Sequence, residues 1–409
     1  MALEPKQSQR NIVAAAAAGC IGFTGFTLVM PFLPFYIAEL GTTDVAEIAM
    51  WTGLTLGATP AVTAISAPLW GRVGDRYGSK VLVIRSLVAF ILTKAAMAFV
   101  TAPWQLFALR ALLGVFAGYG ALTVSMAAES APRERMAQAI GFVQAGHRLG
   151  PAIGPVIGGL LAPVVGLRNA FLAASAFYAV ALFLIMFLYR EPRERDAPRV
   201  IRGGREVFSL LLRLPGFLLA LVLIFGLQTV DRSFGPVLPL YVAQLGVEGG
   251  RISVVSGLLF SLAALSAAFG AYLAGRLLLH QPARRVIGVG AGAAAIAMSV
   301  IVIAPSLWVV GAAMVVVGAA IGTAMTTAYA VAGSLLPSDA HATGFGLMTT
   351  ANLMGLALSP VIAGFIGGTG LRIVFVADVV LLVLLAVLVA RRLSPDASSR
   401  GTDAAAPVS

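Results

Sequence analysis

Long apolar runs, interrupted at short intervals by glycine, proline and charge, make up most of this chain. Twelve of them approach or exceed the ~20 residues a helix needs to cross a hydrocarbon layer. They fall near 11–37, 48–70, 80–101, 104–128, 138–162, 168–189, 215–243, 252–276, 284–304, 306–335, 341–366 and 371–390. The runs are continuous rather than alternating, which predicts helices and excludes a transmembrane barrel. A helix satisfies its own backbone hydrogen bonds where there is no water to do so. The expected fold is therefore all-α, a membrane protein of twelve transmembrane helices. Polar stretches set its divisions: a six-helix bundle over 1–189, a proline-containing linker over 190–214, a second six-helix bundle over 215–393, and a small, polar, disordered tail over 394–409.

The two halves repeat. Pro31-Phe-Leu-Pro-Phe-Tyr-Ile-Ala-Glu-Leu-Gly41 returns as Pro236-Val-Leu-Pro-Leu-Tyr-Val-Ala-Gln-Leu-Gly246, an offset of 205. Gly71-Arg72 returns as Gly275-Arg276, and Gly166-Leu-Arg-Asn-Ala-Phe171 as Gly370-Leu-Arg-Ile-Val-Phe375, both at an offset of 204. Six crossings per repeat preserve the direction of travel. The repeats are therefore parallel, related by an axis along the membrane normal, with the pathway expected between the halves.

Composition agrees. Of 409 residues, 59% are hydrophobic and 11% charged, against about 25% charged in a soluble domain. The net charge of +11 is explained by its placement. Sorting the 28 Lys and Arg by predicted topology leaves three in outside loops (Arg168, Arg251, Arg372) and four within spans (Lys94, Arg110, Arg148, Arg232); the other 21 lie on the inside. That asymmetry predicts both termini in the cytoplasm and calls for no nucleic acid. Cys20 is the single cysteine, so there is no intramolecular disulfide and no cysteine-based metal site.

Against this apolar background the polar residues stand out. Gly71-Arg-Val-Gly-Asp-Arg-Tyr-Gly-Ser-Lys80 gathers Asp75, Arg76 and Lys80, and its Gly71, Gly74 and Gly78 suit a tight reversal. Arg110 is expected some six residues inside the fourth span, about 9 Å deep. A cation at that depth costs at least ~2.5 kcal/mol and faces the protein interior or a wet cavity. In the fifth span Gly146, Gly150, Gly154 and Gly158 stand four apart on one face, a stripe that lets another helix approach closely. Pro151 and Pro155 are expected to bend that helix. Asp231 lies within the seventh span beside Arg232, and a midspan carboxylate is a functional candidate by default. His147, beside Arg148, titrates in the physiological range when unperturbed. Asp378 is expected at the outer rim near lipid headgroups or Arg372, and Glu39 at the interface. Lys94 has no assigned place. Phe23, Phe26, Phe32, Phe35, Tyr36, Phe234 and Tyr241 can line an apolar cavity or simply pack.

These motifs together resemble the major facilitator superfamily. The stretch Gly71–Lys80 is similar to the family's signature loop between helices 2 and 3, G-x-x-x-D-R-x-G-R-K, departing from it at Ser79. The resemblance implies that Asp75, with Arg76, forms a breakable latch across the two halves. Arg110-Ala-Leu-Leu-Gly114 resembles the helix 4 motif R-x-x-x-G, whose Arg is assigned a part in proton transfer. An Arg does not release its proton, so its role is to tune a neighbouring acid or to contact substrate. Gly150, Gly154, Pro155, Gly158 and Gly159 meet the antiporter motif G-x-x-x-G-P-x-x-G-G in full. Met30–Pro34 is similar to the Met-Pro-x-Leu-Pro of the bacterial multidrug and tetracycline exporters.

The whole chain thus resembles the twelve-helix drug:H⁺ antiporters. That implies proton-coupled export of small, mostly hydrophobic compounds by alternating access, from a monomer in the bacterial inner membrane. Its partners would be the substrate, protons and the lipid bilayer, with the proton gradient in place of any cofactor. No Walker loop appears, so ATP is not the driver, and no HExxH or GxSxG supports an enzyme. An uptake symporter or metabolite exporter is the same-fold alternative, and a non-transporting membrane sensor the remote one.

Overall fold

A computed structural model of the chain describes residues 5–191, 211, 214–337 and 340–393. Most of the expected linker and all of the expected C-terminal tail lie outside them. All regular structure among the described residues is helical. In chain order the helices are α1 (Pro5–Thr27), α2 (Leu33–Glu39), α3 (Val45–Tyr77), α4 (Ser79–Met97), α5 (Pro103–Val115), α6 (Tyr119–Ser130), α7 (Met136–Val165), α8 (Leu167–Leu188), α9 (Pro215–Gln244), α10 (Arg251–Leu277), α11 (Ala283–Ile303), α12 (Leu307–Ser334), α13 (His341–Gly367) and α14 (Leu371–Arg392). Ten helical segments are long and apolar enough to cross a membrane, α5 and α6 counting as one. The two remaining crossings are the broken pair α1–α2 and α4, which carries Lys80, Arg85 and Lys94. The twelve expected crossings are all present.

The first and fourth crossings are interrupted where continuous helices were expected. Between α1 and α2 the chain passes through a turn over 28–32, with Met30 N–H donating to the Thr27 carbonyl at 3.0 Å. Pro31 has no N–H to continue the helical ladder, and Pro34 sits in the first turn of α2, where its fixed φ is welcome. Between α5 and α6 the break is Gly118, at φ +114. Side chains meet three of the carbonyls around it. Ser66 donates to Gly114 at 3.0 Å, Trp70 Nε1 to Val115 at 2.6 Å, and Arg85 to Phe116 at 3.2 Å. The Arg85 guanidinium also stacks 3.3 Å above the Trp70 ring.

The reversal after the second crossing differs from expectation as well. Residues 71–77 continue α3 as helix, so Gly71 and Gly74 do not turn the chain. Gly78 alone reverses it, at φ +95. An L-residue is strained at that angle. In α7, Pro151, Pro155 and Pro163 are carried inside one uninterrupted helix.

The chain divides into two compact units, residues 1–199 with 238–261, and 200–237 with 262–409. The internal repeat reaches into the packing of each. In the first unit a Cβ on Gly114 would lie 2.5 Å from the Thr59 carbonyl oxygen. In the second a Cβ on Gly318 would lie 2.5 Å from the Ala263 carbonyl oxygen. Both residues of the second pair follow those of the first at the repeat offset of 204. In each unit a glycine lets two helices meet at backbone distance.

Gly318→Leu should therefore destabilise the folded chain by roughly 1–3 kcal/mol or more, since backbone cannot yield to the added atoms. Gly288→Ala, with nothing within 4 Å of its Cβ, should be neutral. Thermal unfolding of the two purified variants checks this, and equal melting temperatures would contradict it.

Candidate functional site

Within the first unit α1 and α7 are in backbone contact along four successive helical turns. A Cβ on Gly146 would lie 2.6 Å from the Ala16 carbonyl oxygen, and one on Gly150 2.7 Å from that of Cys20. One on Gly154 would lie 2.6 Å from the Thr24 carbonyl oxygen, and one on Gly158 would overlap that of Leu28. Residues four apart on α7 thus meet residues four apart on α1, the pairing a shared 3.6-residue period allows. Gly159, one residue round the helix, meets the Ser253 backbone of the same unit instead.

That close approach fixes α1, and with it Phe23 and Phe26. The Phe23 ring lies 4.8 Å from the His147 ring of α7 and 6.4 Å from Tyr119 of α6. Phe90 of α4 continues the cluster, 6.3 Å from Tyr119 and 5.2 Å from Tyr178 of α8. The His147 Nε2 and the Thr123 hydroxyl are hydrogen-bonded at 2.9 Å. Gly19 and Gly22 of α1 make room for these rings. A Cβ on Gly19 would lie 2.5 Å from His147, and one on Gly22 2.7 Å from Tyr119.

Among these rings lie two cations. Lys94 of α4 and Arg110 of α5 are both fully buried. Among the described residues the Lys94 Nζ and all three Arg110 side-chain nitrogens have no hydrogen-bond acceptor. Their visible neighbours are aromatic faces. Lys94 Nζ stands 5.7 Å from the Phe171 centroid, and the Arg110 guanidinium 5.6 Å from that of Phe26. A desolvated cation–π contact contributes up to about 2 kcal/mol. An intramembrane cation costs at least ~2.5–3.5 kcal/mol. The rings do not cover that cost. No carboxylate is buried among the described residues of this unit.

The second unit has the opposite arrangement. Asp378 of α14 is its one buried charged side chain among the described residues, at 5% exposure. This corrects the expectation of a rim position near headgroups. Its partner is Ser233 of α9, whose hydroxyl lies 2.6 Å from Oδ2 and also 2.9 Å from the Val230 carbonyl oxygen. One hydroxyl proton serves only one of these acceptors. An ionised Asp378 takes it. A protonated Asp378 donates to the Ser233 oxygen instead, and Ser233 then donates onward to Val230. The site thus accommodates both states of the carboxyl. Asp231, two residues before Ser233, is a third exposed and ion-paired with its neighbour Arg232 at 3.0 Å.

The remaining candidates are spread out. His147 is half-buried in the aromatic cluster, whereas Arg148 is exposed. Phe32, Tyr36, Phe234 and Tyr241 are core residues, while Phe23, Phe26 and Phe35 are half-exposed. In the signature stretch the side chains of Gly71, Asp75 and Arg76 lie outside the described residues. Lys80 donates to the Tyr189 and Met186 carbonyls at 2.7 and 3.3 Å, capping the C-terminal end of α8. Ser79 donates to Glu129 at 2.6 Å.

Comparison with known proteins matches this architecture. The family model of the Major Facilitator Superfamily matches residues 15–283 and 255–408. The multi-drug resistance efflux pump PmrA homolog of Lactococcus lactis is 33% identical over 274 residues, 66% of this chain and 67% of that protein. The multidrug resistance protein MdtG of Yersinia enterocolitica is 32% identical over 302 residues, 74% of this chain and 72% of that one. Among solved structures, a bacterial homolog of the human lysosomal transporter Spinster superposes with a TM-score of 0.78 at 17% identity, covering 96% of this chain and all of that one. The nucleoside transporter NupG superposes with a TM-score of 0.77 at 13% identity, over 93% of this chain and all of that one. These two likenesses concern the fold. The matching family model spans nearly the whole chain, and the chain belongs to the Major Facilitator Superfamily.

Proposed function

We propose that this protein is a proton-coupled exporter of small, mostly hydrophobic compounds, working by alternating access in the bacterial inner membrane with both termini in the cytoplasm. The observation that carries this reading is the α7 stripe. Its Gly150-x-x-x-Gly154-Pro155-x-x-Gly158-Gly159 is the pattern that resembles the family's antiporter motif, and backbone of the first crossing packs against Gly150, Gly154 and Gly158. The PmrA homolog and MdtG relatives, multidrug resistance proteins by name, support the same direction.

Coupling needs a group that is protonated in one phase of the cycle and ionised in the other. Asp231 and Asp378 are the two carboxyls on the α9 and α14 crossings that qualify, and they differ in what protonation costs. Asp231 gives up an ion pair with Arg232. Asp378 exchanges the direction of one hydrogen bond with Ser233. His147, bonded to Thr123, and Arg110 are proposed to act along the substrate pathway rather than as the carrier. Arg148, exposed on α7, stands as a charge beside that pathway. Asp75 and Arg76 are proposed to latch the cycle, and Gly78 and Lys80 to hold the turn that carries them. The protein acts as a monomer and draws on the proton gradient alone.

The test is a pH gradient imposed across proteoliposomes, with lipophilic compounds screened for gradient collapse. Wild type should collapse it with at least one compound. Asp378→Asn and Asp231→Asn separate the candidates: the carrier's variant should lose collapse by 10-fold or more and the other should keep it. No collapse by wild type with any compound would contradict proton coupling. Two further variants bear on the same reading. Gly150→Leu should abolish transport while Gly141→Ala, on the same helix with nothing within 4 Å of its Cβ, leaves it intact. Asp75→Asn should be made and inserted normally yet transport at a small fraction of the wild-type rate; full activity would remove the latch from the account.

A further inference from the structure

Lys94 and Arg110 are two buried like charges for which the described residues of the first unit supply no buried counter-charge. Both side chains are fully buried, and none of their four nitrogens has an acceptor among the described residues. A buried charge with no partner is costly, and two like charges in one low-dielectric interior repel more strongly than at a surface. Truncation or rotation toward an exposed surface would relieve this at either position, and the fold does neither. What the pair fits is a negative group that touches both. A carboxylate or sulfonate presents two or three acceptors to four nitrogens, and Arg prefers such planar, two-pronged partners.

The surroundings specify the rest of the ligand. Phe171 stands beside Lys94, and the half-exposed Phe26 beside Arg110. Tyr178 and Phe90 of the same unit pack against each other with ring centroids 5.2 Å apart. These faces suit an apolar, preferably aromatic, body rather than a hydrated ion. The acidic side chains that would attract a lipophilic cation are missing from this interior among the described residues.

We infer that Lys94 and Arg110 are the anion-recognising pair of the substrate site, and that the protein takes lipophilic monoanions: an apolar body carrying one carboxylate or sulfonate. This rests on the exporter reading and narrows its substrate class. A free inorganic anion shares the same head-group chemistry, so the test separates the two.

The full-length chain in detergent micelles would be titrated calorimetrically with naphthalene-2-sulfonate and with its neutral counterpart naphthalene-2-sulfonamide, in chloride and in gluconate buffers. The expected result is at least 10-fold tighter binding of the sulfonate in both buffers. In Lys94→Gln and in Arg110→Gln that preference should fall to within 2-fold, with sulfonamide binding unchanged. Thermal unfolding guards against misfolded variants. The sulfonate should raise the melting temperature of wild type and not of either variant, while the sulfonamide shifts all three alike. Lys94→Arg, which keeps the charge, should retain the preference. Equal binding of the two probes by wild type would overturn the inference, as would a preference that survives in both Gln variants. Sulfonate binding abolished by chloride would make the pair an inorganic-anion site and equally overturn it. Binding in micelles needs no gradient. Anion preference without proton-linked transport would sink the exporter reading alone, and proton-linked transport of compounds without anion preference would sink this inference alone.

Discussion

A charge enclosed away from water has to be met by something, and in the first unit two charges are enclosed with no acceptor among the described residues to meet them. Lys94 and Arg110 have aromatic faces for neighbours and no carboxylate. That arrangement explains why so much else nearby is specified. The glycines of α7 bring the α1 backbone in, and glycines on α1 in turn leave room for the His147 and Tyr119 rings. The result is a tightly built apolar shell around a positive centre. Such a shell strengthens the interaction of an enclosed cation with any anion that reaches it.

The second unit handles its buried charge differently. Asp378 has a hydroxyl partner that can give or take a proton, so the carboxyl has two satisfied states. A group with two satisfied states is suited to being switched, and a pair with no satisfied state is suited to being filled. The proposed division of labour follows: recognition in the first unit and proton exchange in the second. The same accounting governs the backbone. The fourth crossing breaks at Gly118 because Ser66, Trp70 and Arg85 take up three of the carbonyls around it. Non-helical backbone survives at membrane depth only where protein satisfies it.

The twelve crossings, the repeat and the α7 stripe were legible in the sequence because each depends on local spacing: a run long enough to span, an offset held along the chain, glycines four apart. Arg110 was legible as an interior residue because a lone cation in an apolar run has few other places to go. Lys94 was not placed, since it lies close to the end of its crossing, where snorkelling to the surface is the usual outcome. Asp378 was placed at the rim for the same reason. Its helix is apolar on every face, so periodicity gives no sign that Val374, Phe375, Asp378 and Leu382 share the buried side. The break at Gly118 was missed because its compensation comes from residues on α3 and α4, distant in sequence. Gly71 and Gly74 were read as a turn on residue type alone, although glycine tolerates a helix as well as a reversal.

The most direct test is to look for the anion. A crystal structure of the full-length chain grown with 4-iodobenzoate would locate the iodine by its anomalous signal and the carboxylate by its density. The account predicts a carboxylate within hydrogen-bonding distance of both the Lys94 Nζ and the Arg110 guanidinium, with the iodinated ring against Phe26, Phe171 or Tyr178. A bound iodobenzoate elsewhere in the chain, with Lys94 and Arg110 still without an anion between them, would contradict it.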